Sequence, residues 1–284
     1  MIGRGRAHGA ISVLNAIPTG YGGAVGIDLP VTAEVRLAED GVAMVSMTPW
    51  GSVTPNKSLL RALKEAASRL GYDGGLEIYV KSGIPPASGL KSSSAVINAV
   101  LSALLDALGK KRSADEVARL GVWVARRAGL TITGAYDDSL ATLLDGVFIT
   151  DNRGMRVLRR YLIDEDLYAV IYAPGVERPI DAVDPGAFTE IKWVYDRALK
   201  LALNGKWLEA ATLNGVATLA ATGWNSESTE FVTAALSLPS VEAAGVSGKG
   251  PAVFALTRDP GEVLDAWGRE HALVAMVLGG RSDS

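Results

Sequence analysis

The stretch PPASGLKSSSAVINAVLSALLDALG, from Pro85 to Gly109, constrains the fold more than any other part of the chain, because it changes character halfway. Val96, Ile97, Val100, Leu101, Leu104, Leu105 and Leu108 recur at helical spacing and commit its second half to a buried helix that ends at Gly109. That helix must start among Ser92, Ser93 and Ser94, directly behind a loop of Pro and Gly. The first turn of any helix carries N–H groups without internal partners and the positive end of the macrodipole, so it attracts anions. Gly89 lets backbone approach a ligand, the three serines add hydroxyls and Lys91 adds a positive charge. Spacing alone leaves two readings open, a phosphate cradle or an ordinary serine N-cap after a proline turn. A Walker loop is excluded, since no glycine stands at the required distance ahead of a Gly-Lys-Ser/Thr.

Around this stretch the chain alternates elements in an α+β order. Ala10 to Ile17 reads as a strand behind a Gly/Arg-rich start, and Thr19 to Gly23 as a turn. Val31–Ala38 and Val42–Met47 read as a hairpin about Asp40-Gly41. A helix follows over 57–70, then a strand from Gly75 to Lys81. Ser113 and Glu116 make a capping-box pattern for a helix running to Gly129, and a hairpin is expected about 152–154. A strand at Leu167–Pro174 opens a second lobe of three helices, over 190–203, 206–221 and 228–236, and then strand, helix and strand from Ala252 to Leu278. The reading divides the chain into lobes of residues 1–155 and 156–284. Trp193, Trp207 and Trp224 read as core or interface of the second, with core as the expectation.

Charge and composition remove whole classes of function. With 28 Lys and Arg against 31 Asp and Glu, the net charge of -3 leaves no broad basic surface for nucleic acid. No cysteine is present, so disulfides, thiolate nucleophiles and cysteine-based metal sites drop out, which suits a cytoplasmic protein. No apolar run is long enough to span a bilayer, so no membrane partner is expected. A serine hydrolase is disfavoured, since no G-x-S-x-G elbow occurs. Nothing in the sequence reports on oligomeric state.

Two further segments carry chemistry. GVSGKGPAVFAL, from Gly245 to Leu256, places Gly248 and Lys249 in a glycine-rich loop ahead of a strand, readable as a tight hairpin or as a second phosphate contact. In Thr133-Gly134-Ala135-Tyr136-Asp137-Asp138, two adjacent carboxylates precede an apolar helical stretch beginning at Ser139. One aspartate is expected to serve as its N-cap, which leaves the other free to work.

Taken together, these segments resemble the GHMP kinases, the superfamily of galactokinase, homoserine kinase and mevalonate kinase. Pro85, Pro86, Ala87, Ser88, Gly89, Leu90, Lys91, Ser92, Ser93, Ser94 and Ala95 look like its phosphate-binding motif. Gly245–Ala252 and Ala10–Leu29 are similar to its carboxy- and amino-terminal motifs, so the likeness spans nearly the whole chain. GLKSSSA, TGAYDDS and LNAIPTGYGGAVGID most resemble the archaeal shikimate kinases within it. The resemblance implies a two-lobed α+β fold: an amino-terminal βα lobe with a left-handed-crossover-type sheet, a ferredoxin-like carboxy-terminal lobe and an active site between them. It implies transfer of the ATP γ-phosphate, with Mg2+, to the 3-hydroxyl of shikimate; homoserine, mevalonate or pantoate as acceptor, or a catalytically silent nucleotide sensor, are the alternatives. Asp137 falls at the place of the catalytic aspartate, and Ser93 at that of the metal-reaching serine.

The chain also departs from the superfamily's pattern. Where relatives carry a metal-binding glutamate, this chain has Val124-Ala125-Arg126-Arg127, and Asp138 is expected to substitute. Where many carry a lysine in the first strand, it has Ala10, so basic groups elsewhere are required, with Arg4, Arg6 and His8 as candidates. Asn15, Asp138, Gly248, Lys249 and Arg178 are the expected substrate contacts, the last two for the carboxylate.

Overall fold

The structure, a computed structural model, describes residues 1–174, 184–223 and 226–280. Its first sheet is built on a long antiparallel pair, β1 (Ile2–Leu14) and β2 (Tyr21–Ala38). The first strand thus begins at Ile2 and not at Ala10: in the Gly-Arg-Gly-Arg start the glycines are the inward residues of a two-residue alternation. A Cβ at Gly5 would collide with the backbone of α2 (Ser92–Ala107), so only glycine lets strand and helix meet this closely.

The expected hairpin about Asp40-Gly41 is not formed. Both strands exist, the second being β3 (Val42–Thr48), but β5 (Gly75–Ser82) lies between them, antiparallel to β2 and parallel to β3. The chain reaches β5 through the short β4 (Gly51–Val53) and α1 (Lys57–Arg69), whose apolar stripe of Leu59, Leu63, Ala66 and Ala67 is buried. Gly41 does take a left-handed φ of 78°, but the intervening strand comes from a nonlocal pairing that a turn signal cannot reveal.

After α2 come α3 (Ala114–Arg127), with the Ser113/Glu116 capping box formed, α4 (Tyr136–Ala141), and the β6 (Val147–Asp151) and β7 (Arg156–Tyr161) hairpin. The strand order is β4-β3-β5-β2-β6-β7, with β1 on the other edge of β2, and the sheet continues through β7 to Tyr161.

The second sheet follows from β8 (Tyr168–Tyr172), through α5 (Pro185–Glu190), α6 (Lys192–Leu203), α7 (Trp207–Thr222) and α8 (Ser226–Leu236), to β9 (Val241–Val246), β10 (Val253–Thr257), α9 (Pro260–Trp267) and β11 (Ala272–Met276). Its order β11-β8-β10-β9, antiparallel throughout, is the ferredoxin-like arrangement. β9 is not among the expected strands, because its VEAAGV is dominated by small residues; these let α7 pack closely, with Gly215 against Gly245. Trp207 is buried as expected, but Trp193 is 72% exposed on α6, a correction, and Trp224 lies outside the described residues.

One hydrophobic core unites both sheets, joining Ile11, Val25 and Leu101 to Phe254 and Leu256. The carboxy-terminal strand returns to the first sheet, where Leu278 N–H donates to Gly26 O. No described helix is long and apolar enough to cross a membrane.

Candidate active site

The end of β1, the Pro85–Lys91 loop, the start of α2, the start of α4 and the β9–β10 loop surround one open cleft of ≈ 300 Å³. The proline loop reaches it by an unusual backbone path. Ala87, Gly89 and Lys91 are left-handed, with φ of 51°, 86° and 64°, while the residues between them are not. Such alternation of hand turns successive N–H groups inward, the pattern of an anion-binding nest. For the non-glycine members it costs about 1–3 kcal/mol each.

The loop is held by the second sheet. Ala252 N–H donates to Ser88 O, Ser247 Oγ donates to Gly89 O, Ser12 N–H donates to Ser247 Oγ, and Gly248 N–H donates to Ser12 Oγ. A Cβ on Gly89 would stand 2.5 Å from Ser247 O. The glycine is therefore required by the neighbouring loop as well as by its φ.

The serines do not cap α2. Lys91 occupies the N-cap position without a side-chain hydrogen bond, and Ser92, Ser93 and Ser94 form the first turn, lining the cleft. An uncapped first turn leaves its amides open to an anion. Of the remaining expected residues, Ala87, Gly89 and Lys91 also line the cleft, whereas Pro85, Ser88, Leu90 and Ala95 are buried in the body and Pro86 is partly so.

Nor does either aspartate cap a helix. Gly134 and Ala135, both left-handed, turn the chain so that α4 begins at Tyr136 with Ala135 as its N-cap, and Asp137 and Asp138 sit inside its first turn. This short helix is pinned from both sides. Asn98 of α2 donates to Ser139 O at 2.9 Å and to Thr142 Oγ1 at 2.8 Å, and the buried Tyr136 donates its hydroxyl hydrogen bond to Asp115 of α3.

Asp137 is 4% exposed and faces the cleft. Asn152 Nδ2 donates to its Oδ1 at 2.7 Å, and Gly22 leaves it room, since a Cβ there would lie within 2.6 Å of the carboxylate. Burial, reinforced by the adjacent Asp138 charge, raises its pKa to about 7, against the pull of Lys91 and Asn152. Neither Asn152 nor Gly22 was singled out from sequence, where both read as ordinary turn residues. Lys91 Nζ lies 3.1 Å from Asp138 Oδ1.

The other expectations divide. Gly248 and Lys249 line the cleft, as does Asn15, but the Asn15 side chain is engaged: Nδ2 donates to Gly248 O and Oδ1 accepts from Ile17 N–H. Arg178 lies outside the described residues. Arg4, Arg6 and His8 do not line the cleft; Arg4 pairs with Glu34 at the opposite end of β1, and His8 is a partly buried strand residue whose pKa burial lowers. Ala10 packs among Ala24, Ala118, Val122 and Leu140. Leu130, Thr131 and Ile132, not singled out from sequence, supply a further wall beside Thr133.

Whether the cleft suits a divalent cation can be judged from its donors. Among the described residues there is no cluster of three or more acidic, His or Cys side chains. Magnesium is commonly held by one or two carboxylates together with phosphate oxygens, so few protein ligands are needed. Asp138 Oδ1 is buried and accepts no hydrogen bond, which fits a cation ligand, and Ser93 lines the same cleft.

Comparison with known proteins agrees with this architecture. Residues 57–146 match the model of the GHMP kinases N terminal domain. A protein of Aeropyrum pernix named shikimate kinase is 42% identical over 94% of this chain and 96% of its own length. Another of that name from Thermococcus kodakarensis is 38% identical over 93% and 95%. Among solved structures, L. major mevalonate kinase in complex with R-mevalonate superposes with a TM-score of 0.77 at 14% identity, covering 99% of this chain and 97% of that one. Homoserine kinase from Cytophaga hutchinsonii gives 0.73 at 19%, covering 97% and 95%.

Proposed function

Because the chain belongs to the GHMP kinases, within the family of the archaeal shikimate kinases, we propose that it transfers the γ-phosphoryl group of ATP to the 3-hydroxyl of shikimate. The observation that most supports this reading is the pairing, in one cleft, of a buried carboxylate near neutral pKa with an uncapped helix start. Phosphoryl transfer asks a protein chiefly to position reactants and to neutralise charge, and these two features answer those needs.

In this reading the nest around Gly89 and the amides and hydroxyls of Ser92–Ser94 grip the triphosphate. Asp137, in its base form, accepts the hydrogen bond of the acceptor hydroxyl, aims it at the γ-phosphorus and takes its proton as the new O–P bond forms and the bond to the ADP oxygen breaks. Asn152 holds the carboxylate for that role. Ser93 and Asp138 would hold Mg2+, whose chemistry when bound is to neutralise the phosphates. Lys249, which lines the same cleft, would meet the carboxylate of the acceptor. A chain without cysteine suits the reducing cytoplasm, where we place the enzyme.

Following ADP release from purified protein with ATP, Mg2+ and each of shikimate, homoserine, mevalonate and pantoate tests the proposal. Turnover with shikimate alone is expected. Turnover with another acceptor and not shikimate reassigns the substrate, and binding of ATP and shikimate without turnover makes the protein a sensor.

A further inference from the structure

The Lys91–Asp138 ion pair lies inside the cleft, its side chains only 10% and 16% exposed. Removing two opposite charges from water is costly, and their attraction repays the cost only where hydrogen bonds complete the geometry. Here the pair is incomplete: the ammonium is 3.1 Å away, yet no hydrogen bond reaches the buried Asp138 Oδ1. Asp138 is also the one carboxylate among the described residues in ion-pair contact with Lys91. The lysine stands at the N-cap position of α2, so its charge and the open amides of Ser92–Ser94 belong to the same wall. An arriving polyphosphate carries more charge than one carboxylate and meets both features at once.

We propose that Lys91 is an exchange residue: Asp138 holds its ammonium until nucleotide loading draws it onto the terminal phosphate, which releases Asp138 to ligate a divalent cation. The inference rests on the reading of the cleft as an ATP site and adds a property which that reading does not require. Without metal, Asp138 competes with the nucleotide for Lys91. With metal, Asp138 contributes to binding. Its effect on ATP affinity therefore changes sign with the cation, which an ion pair that merely holds α2 to α4 would not do.

Isothermal titration of ATP into the full chain, in EDTA and in excess Mg2+, reads this directly. In EDTA, D138N is expected to bind ATP about three- to fivefold more tightly than wild type, the value of a modest ion pair that no longer competes. In Mg2+ it should bind more weakly than wild type, and D138S should repeat both signs. K91M should lose about tenfold or more under both conditions, the value of a charge-assisted hydrogen bond. A D138N protein that binds ATP no better than wild type in EDTA overturns the exchange. A wild-type protein that binds no ATP under either condition overturns the active-site reading itself, so the two failures are distinguishable.

Discussion

Asn152 and Asp137 bind each other twice: Asn152 Nδ2 donates to Asp137 Oδ1 at 2.7 Å, and Asn152 Oδ1 accepts from the Asp137 backbone N–H at 3.2 Å. Thr150 Oγ1 donates to the same Asn152 oxygen at 2.7 Å, which fixes which way the amide faces. The donor side of Asn152 is thereby committed to the carboxylate. A hydrogen bond to the charged form favours ionisation, so Asn152 opposes the effect of burial.

Removing that donor should show in the pH profile. Wild-type kcat/KM is expected to rise through a pKa of about 7 as Asp137 becomes the base. In Asn152→Ala the carboxylate keeps its burial and loses its donor, so the acidic limb should move to higher pH and kcat should fall about tenfold or more. A profile measured from pH 5.5 to 9 checks the direction; a limb displaced to lower pH contradicts the assignment.

Asp137→Asn should cut kcat by about 10²–10⁴-fold and leave ATP affinity nearly intact. The same variant makes a stability prediction with a definite sign. A carboxyl whose folded pKa lies near 7, above its unfolded value near 4, binds its proton more tightly in the fold. The stability it contributes is fully present below about pH 4 and is lost as pH rises through 7. Asparagine has no such loss, so the variant should melt higher than wild type at pH 8, by a margin that shrinks towards pH 4. Thermal melts of the ligand-free proteins test this without any assay of turnover.

How much of this was legible beforehand depends on the range of the interaction. The α2 helix, the Ser113 capping box and the α1 stripe follow from residues a few positions apart, and their bounds agree with the expectation to within a residue or two. The insertion of β5 between β2 and β3 is a pairing across some forty residues, which periodicity does not encode. At the cleft, Asp137, Lys91 and the serines announce themselves by type and setting. Asn152 and Gly22 matter only because folding brings them to Asp137, and each reads locally as part of a turn. The aspartate cap expected for α4 is absent for a related reason: left-handed Ala135, like left-handed Lys91 at α2, starts its helix without a side-chain cap, a backbone path that composition does not announce for non-glycine residues.

Gly89→Ala distinguishes a glycine needed by the fold from one needed by a ligand. The new Cβ would stand 2.5 Å from Ser247 O at a φ of 86°, so the junction between the proline loop and the β9–β10 loop must open. A destabilisation of about 1–3 kcal/mol is expected, together with weaker ATP binding. Ser93→Ala, by contrast, alters an exposed hydroxyl in the first turn of α2 and should leave stability within about 0.5 kcal/mol of wild type. Denaturant melts of the two variants, read beside ATP titrations, separate the roles; equal stability for both would remove the packing argument for Gly89.

Gly22→Ala addresses the catalytic geometry with the least disturbance elsewhere. Gly22 lies in β2 opposite Thr150 at an ordinary strand φ, so alanine is compatible with the backbone. Its methyl group would nevertheless fall within 2.6 Å of the Asp137 carboxylate, which must rotate or shift away. Displacing a reacting group by about 1 Å costs about 10²-fold in rate. The proposed triphosphate grip around Gly89 and Ser92–Ser94 belongs to other elements, while the atoms nearest a Cβ at Gly22 are those of Asp137. A drop in kcat near that size, with the Kd for ATP unchanged, is therefore expected from steady-state kinetics and titration. An unaltered kcat would mean that the carboxylate held between Asn152 and Gly22 is not the group that receives the acceptor's proton.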